Sequence, residues 1–429
     1  MKKLSVFKIE NFIEFKNKML NWAQPFNIFC LLDNQQYDFE KPAFECLLAA
    51  GCKRNIEGQA GDAFETISHF YKAEKDWLFG HLSYDLKNET ETLSSANFDG
   101  VGFPDYHFFV PEYVLQLNAN ELTIFCEGDA EVILEALKSQ SAVIRQSTSI
   151  NLQINNRILP EDYIGTIKKI QQHILRGDCY EINFCQEFFA ASAMIDPLSV
   201  YCTLVEISPN PFSALYKLNG RYCICASPER YFKKTGTKIF SQPIKGTAKR
   251  NLQDSALDAL SKQQLSESEK ERSENVMVVD LVRNDLSRVC KEGSVKVEEL
   301  FGAYSFPQVH QLISSISGEL EDGVEWTDIV KASFPMGSMT GAPKKRVMEL
   351  IERYEHTRRG LFSGSIGYVS PTGDADFNVV IRSILYNASS RYLSFQTGSA
   401  ITFYSDAEAE YKECLLKAEA IKQVLENRH

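Results

Sequence analysis

Two hydrophobic periods alternate along the chain, and they predict most of its elements. The helical period is clearest at residues 160–177. Pro160 opens the segment, Glu161 and Asp162 load its first turn with negative charge, and apolar residues recur at Tyr163, Ile164, Ile167, Ile170, Ile174 and Leu175 before Gly177. That is a helix start, an inward stripe and a glycine cap in the right order. Residues 131–138, 326–334, 343–354 and 407–426 read as further helices, and 252–285 carries helix signals with apolar positions at Val276, Met277, Val279, Leu281 and Val282. Short apolar runs predict strands at 26–32, 77–84, 103–115, 122–126, 180–189, 213–218, 222–226, 239–241, 309–319, 363–369, 376–385 and 392–400. Strands and helices mix without strict alternation, which predicts an α+β fold with mainly antiparallel sheet rather than a doubly wound one. The polar stretch 139–155, rich in Ser, Gln and Asn, predicts a boundary between an N-terminal region, 1–145, and a second region, 158–425.

With 429 residues, 44% hydrophobic and 24% charged, the chain has enough apolar material for a large core. A formal net charge of -11 excludes a broad nucleic-acid surface, which needs a basic stripe, but leaves room for one basic pocket. The eleven cysteines are scattered, with no C-x-x-C pair, as expected of reduced thiols in a cytoplasmic protein. Cys223 and Cys225 are two apart and share one strand face. The first residues lack the apolar core of a signal peptide, and no apolar run is long enough to cross a bilayer.

Candidate chemistry centres on Ser241-Gln242-Pro243-Ile244-Lys245-Gly246-Thr247. Pro243 stiffens one side of Lys245 and Gly246 frees the other, a joint that either aims an amine into a cleft or makes an ordinary turn lysine. Glu271 and Glu274 lie three apart on a helical segment, and Glu410 and Glu413 repeat that spacing. Each pair is either a solvated helix face or half of a site for a hard cation such as Mg²⁺. The segment 337–344, with Gly337 and Gly341, and the small-residue stretch 396–400 both offer amides to an anion. Arg382, in an apolar run, is a buried partner for a carboxylate of either protein or ligand. His310 is a core imidazole or a proton handler. No G-x-S-x-G elbow, H-E-x-x-H or dinucleotide-binding glycine fingerprint is present.

Together these pieces resemble the chorismate-utilising enzymes. The matching stretches are Gly177-Asp178-Cys179-Tyr180, Ala226-Ser227-Pro228-Glu229-Arg230, 243–247, 271–285, Thr340-Gly341-Ala342-Pro343-Lys344, Gly364-Ser365-Ile366-Gly367-Tyr368, Ile381-Arg382 and 406–413. They keep the family's order over about residues 158 to 425. The resemblance implies an α/β sandwich of two large antiparallel sheets with helices outside, as in anthranilate synthase component I. It implies Mg²⁺ on Glu274 and Glu413, with Glu271 and Glu410 in support through water. Arg382, Tyr368, Gly398 and Ser399 would take the pyruvyl carboxylate, with Gly246 and Thr340 also at the substrate. Glu229 would be the general acid, Lys245 the nucleophile at C2 of the ring, and Thr247 and His310 further members of the catalytic group.

Lysine after Pro-Ile resembles the branch that turns chorismate and ammonia into 4-amino-4-deoxychorismate for para-aminobenzoate and folate. Anthranilate-forming members usually carry alanine there. Anthranilate formation is the alternative, and a silent chorismate-binding subunit the non-enzymatic one. Glu181 stands where ammonia-using relatives usually have glutamine. No G-x-C-x-G elbow surrounds any cysteine, so ammonia from glutamine implies a separate amidotransferase subunit. In the N-terminal region, Leu31-Leu32-Asp33, 79–85 and 109–112 also match, the first where relatives contact tryptophan. Whether tryptophan binds is open at this point.

Overall fold

The computed structural model describes residues 2–37, 44–144, 152–307 and 309–426. Residues 145–151 of the expected boundary stretch, and Gln308, lie outside the described residues. The strand Ile28–Asp33 shows how the chain is layered. All six residues are buried, yet Phe29 and Leu31 join one apolar core while Ile28, Cys30 and Leu32 join another. A strand buried on both faces is the middle of a sandwich, with helices on one side and a second sheet on the other.

Two antiparallel sheets of 12 and 10 strands form that sandwich. Helices Pro160–Leu175, Pro197–Ile207 and Ala407–Glu426 cover the outer face of the larger sheet. Helices Ser255–Glu267 and Glu269–Ser287 lie against the smaller one. Strand Ile28–Asp33 pairs with Phe212–Leu218, so the larger sheet takes strands from both sides of the 139–155 stretch. The smaller sheet does likewise, through Leu78–Leu82 and Ser365–Val369. Among the described residues no helix is long and apolar enough to cross a membrane. All eleven cysteines are unpaired and none is fully exposed.

Most predicted elements recur within a residue or two. Two single-strand expectations do not. Residues 103–115 become Tyr106–Val110 in the smaller sheet and Tyr113–Asn118 in the larger, divided at Pro111. Residues 376–385 become Ala375–Asn378 in the smaller sheet and Ser383–Asn387 in the larger. An unbroken apolar run reads as one strand because both halves are buried, although the chain changes sheet in the middle. The helical signal over 252–285 is two helices, separated where Ser268 caps the second by accepting the Glu271 N–H.

Candidate active site

The change of sheet positions the site. Strand Arg221–Ser227 of the larger sheet passes through Pro228 and Glu229 into Arg230–Thr235 of the smaller. The segment between Asn378 and Ser383 makes the reverse passage, and the two chains stay paired on either side of it. At the crossing the Val379 N–H donates to the Glu229 carbonyl at 3.0 Å, and the Ala226 N–H donates to the Arg382 carbonyl at 3.2 Å. Glu229 and Arg382 therefore project from adjoining strands into one cleft.

Arg382 has φ 49°, a left-handed conformation that non-glycine residues adopt at a cost and keep where the surroundings impose it. Among the described residues its guanidinium has no hydrogen-bond or ion-pair partner. Burial lowers its pKa to about 10, against the pull of Tyr37 and Glu229. A guanidinium held this way is a seat for an anion. Glu229 is buried and accepts a hydrogen bond from Ser338 Oγ at 2.6 Å. Burial raises its carboxyl from the usual 4.5 to about 7, a shift that Ser338 and Lys245 reduce. It is thus poised to give up a proton near neutrality.

Lys245 lies on strand Ile244–Lys249, across the cleft. Its Nζ donates to Glu181 Oε1 at 2.6 Å and stands 4.0 Å from Glu274 Oε2. Burial would lower its pKa, but Glu181, then Glu274 and Glu413, outweigh burial and hold it above the ordinary lysine value. The flanking carboxylates thus favour its charged form. Gly246, next along, has φ 102°, and a Cβ there would come 3.0 Å from Glu271 Oε2. The positive φ favours glycine there.

Helix Glu269–Ser287 brings Glu271 and Glu274 to the cleft, and helix Ala407–Glu426 brings Glu413. Lysines intervene between them. Lys270 Nζ is 3.0 Å from Glu410 Oε1, and Lys417 Nζ is 2.8 Å from Glu413 Oε1. Lys417 holds the Glu413 carboxyl below its usual range. Burial pushes Glu274 up to about 7 and raises Glu271. Among the described residues no three acidic, His or Cys side chains form a ready-made metal cage. Even so, Glu274 Oε1 and Glu410 Oε2 are buried with no hydrogen-bond partner. Desolvated carboxylate oxygens without donors fit a hard cation.

Of the residues singled out from sequence, Glu229, Lys245, Gly246, Thr247, Glu271, Glu274, Arg382, Gly398 and Glu413 line this one cleft. Others stand back from it. The Glu410 side chain is taken up by Lys270, and Ser399 Oγ lies 3.4 Å from the Glu410 carbonyl. Thr340 Oγ1 donates to the Met336 carbonyl. His310 is buried between Ser305 Oγ, 2.9 Å from Nδ1, and Asp258, 3.1 Å from Nε2; its strand neighbour Gln311 faces the cleft instead. Adjacent strand residues point to opposite faces, so only one of the two can do so. Tyr368 packs with Trp77, Phe79 and Phe44 at ring-centroid distances of 5.7, 5.9 and 5.6 Å. It lines a second, larger cavity between the sheets, where Leu32 and Asp33 also lie.

The glycine-rich segment is not an open anion loop. Gly341 pairs with Ile182 as a strand, and a Cβ on it would come 2.1 Å from the Glu181 carbonyl. Lys344 ion-pairs with Asp285 at 2.8 Å. The stretch 396–400 is the interior of strand Tyr392–Ile401. Sequence reasoning missed Asn183, Ser338, Phe362, Lys270, Gln311 and Lys417, which also line the cleft. Lys417 had a legible signal, four residues after Glu413 on a predicted helix. Phe362 had none.

Known proteins share this fold. A family model described as chorismate binding enzyme matches residues 28–423. Aminodeoxychorismate synthase component 1 of Klebsiella aerogenes is 35% identical over 81% of this chain and 77% of its own. The Bacillus subtilis protein of the same name is 34% identical over 84% of this chain and 79% of its own. Among solved structures, anthranilate synthase component I from Streptococcus pneumoniae superposes with a TM-score of 0.79 at 26% identity, covering 92% of this chain and 95% of that one. A crossing of two sheets, an unpaired arginine and a lysine-threaded ring of glutamates thus sit in a shared framework, and the chain belongs to the chorismate-binding enzyme family.

Proposed function

We propose that the chain exchanges the C4 hydroxyl of chorismate for an amino group, giving 4-amino-4-deoxychorismate, with ammonia from a separate amidotransferase subunit. One observation carries it: Lys245 and Glu229, a nucleophile and an acid, line the same cleft as the unpaired Arg382. The similarity to proteins named aminodeoxychorismate synthase component 1 supports it. A cytoplasmic location suits the unpaired cysteines.

Chorismate carries two carboxylates and a hydroxyl that must leave. Arg382, with the backbone at Gly398, takes one carboxylate. Mg²⁺, the cofactor we assign, would be held by Glu274 and Glu413 with Glu271 and Glu410 behind, and when bound it neutralises the other carboxylate. Glu229 protonates the departing hydroxyl, a role that suits a carboxyl raised to about 7. Lys245 bonds to C2 as the hydroxyl leaves C4; ammonia then bonds to C4 and expels the lysine, so the ring and the pyruvyl group survive. Attack needs the neutral amine, so Nζ gives a proton to solvent before it bonds to C2 and regains one when it is expelled. Mass spectrometry of protein quenched during turnover tests the covalent step: an adduct on the peptide containing Lys245 supports it, and unmodified peptide under turning-over conditions removes it.

Tryptophan is the ligand we assign to the second cavity. Tyr368 and Phe44 offer ring faces there, beside Asp33, which pairs with Lys16, and Asp376, which pairs with Arg230.

A further inference from the structure

Glu181, which meets the cleft through Lys245, is a buried carboxylate that the mechanism above leaves without a task. It opens strand Glu181–Ala190 and is 1% exposed, while the preceding Tyr180 is 70% exposed. One carboxylate oxygen, Oε1, accepts the Lys245 ammonium at 2.6 Å. The other, Oε2, is buried without any hydrogen-bond partner. A buried carboxylate oxygen without a donor is costly, and a small cation removes that cost. The cation this carboxylate already holds is a primary ammonium, the nearest chemical likeness of the ammonium ion.

We propose that Glu181 is the binding site for the ammonium that supplies the product's nitrogen. Oε2 offers a seat while Lys245 is at rest, and Oε1 offers a second once Nζ has moved to the ring. The ammonium gives one proton to Glu181 as its nitrogen bonds to C4, and the expelled lysine takes that proton, which restores the resting pair. A glutamine at this position would provide an amide oxygen but no charge, and would bind a cation less strongly. The inference rests on the amination reading given above.

The test is steady-state kinetics with ammonium chloride as the nitrogen source, at constant ionic strength and saturating chorismate, on the native chain, Glu181→Gln and Glu181→Asp. The ammonium KM should rise about tenfold or more in Glu181→Gln, as expected for loss of a charge-assisted contact. The chorismate KM should stay within about twofold, and Glu181→Asp should lie nearer the native protein. A fall in kcat with an unchanged ammonium KM overturns the proposal, because a residue that only positions Lys245 would give that result. Should Glu181→Gln fail to fold, the same comparison on Glu181→Ala decides: an unchanged ammonium KM there overturns it too. Native protein that forms no aminated product at any ammonium concentration overturns the amination reading instead.

Discussion

Glu229 and Arg382 are set side by side by the backbone itself: each has its main-chain carbonyl bonded to the strand that carries the other, at 3.0 and 3.2 Å, at the point where both strands pass between the sheets. An acid and an anion seat are thereby fixed relative to each other by sheet hydrogen bonds rather than by flexible side chains. Bound geometry of that kind is what converts affinity into rate.

Arg382→Lys should therefore be far from conservative. A point charge on a flexible stem cannot replace a planar fork that the left-handed backbone aims. The expected effect is a loss of roughly 10- to 100-fold in kcat/KM for chorismate, about 1.4 to 2.7 kcal/mol, with the melting temperature little changed. Steady-state rates and a thermal melt measure both. A variant with native kcat/KM would show that the guanidinium does not meet the substrate.

The Glu229 carboxyl, raised to about 7, sets the sign of the pH dependence. As a general acid it works protonated, so turnover should fall as pH rises through about 7, and Glu229→Gln should lower kcat by roughly 10²- to 10⁴-fold. Stability follows by linkage. A carboxyl with a higher pKa folded than unfolded favours the unfolded chain as pH climbs from about 4.5 to 7, by up to roughly 3 kcal/mol. The melting temperature of Glu229→Gln relative to native should be more favourable at pH 8 than at pH 5. An equal difference at both would mean the buried carboxyl is not titrating there.

Much of this was legible in the sequence, and the failures share a cause. Lys245, Glu274 and Glu413 come from three separate elements and Glu229 and Arg382 from the two crossing segments, and each was found because a motif surrounds it. Where burial extends to both faces, side-chain direction is lost. Strand Ser365–Val369 is buried throughout, so nothing in its pattern tells that Tyr368 faces the inter-sheet cavity while Phe362, just outside it, reaches the cleft. His310 and Gln311 failed in the same way, both being buried on one strand. Two passages between sheets, in 103–115 and 376–385, were invisible because apolar runs continue through them. The exposed strand Lys296–Ser305 was missed for the opposite reason, since it offers little apolar signal.

Chelation should silence the enzyme, and Mg²⁺ should restore it. Glu274→Gln should weaken Mg²⁺ binding by about tenfold or more, since it removes one charge from the donor set. The shift of melting temperature with Mg²⁺ concentration reads this without turnover. The same midpoint for native and variant would take Glu274 out of the metal site.

Tryptophan should raise the melting temperature in proportion to its occupancy of the second cavity. Replacing Asp33 would blunt that response, although Asp33 also pairs with Lys16 and accepts from Tyr201 at 3.2 Å, so loss of stability is expected as well. A Tyr368→Leu variant separates the two effects. If tryptophan shifts it as it shifts the native protein, the assignment fails.

The most direct measurement is the product itself. Purified protein is incubated with chorismate, Mg²⁺ and ammonium chloride, and the mixture is read by mass and fluorescence. The expected result is a species with the mass of 4-amino-4-deoxychorismate that appears only when ammonium is present. Fluorescent anthranilate with released pyruvate, or unchanged chorismate at saturating ammonium, would contradict it.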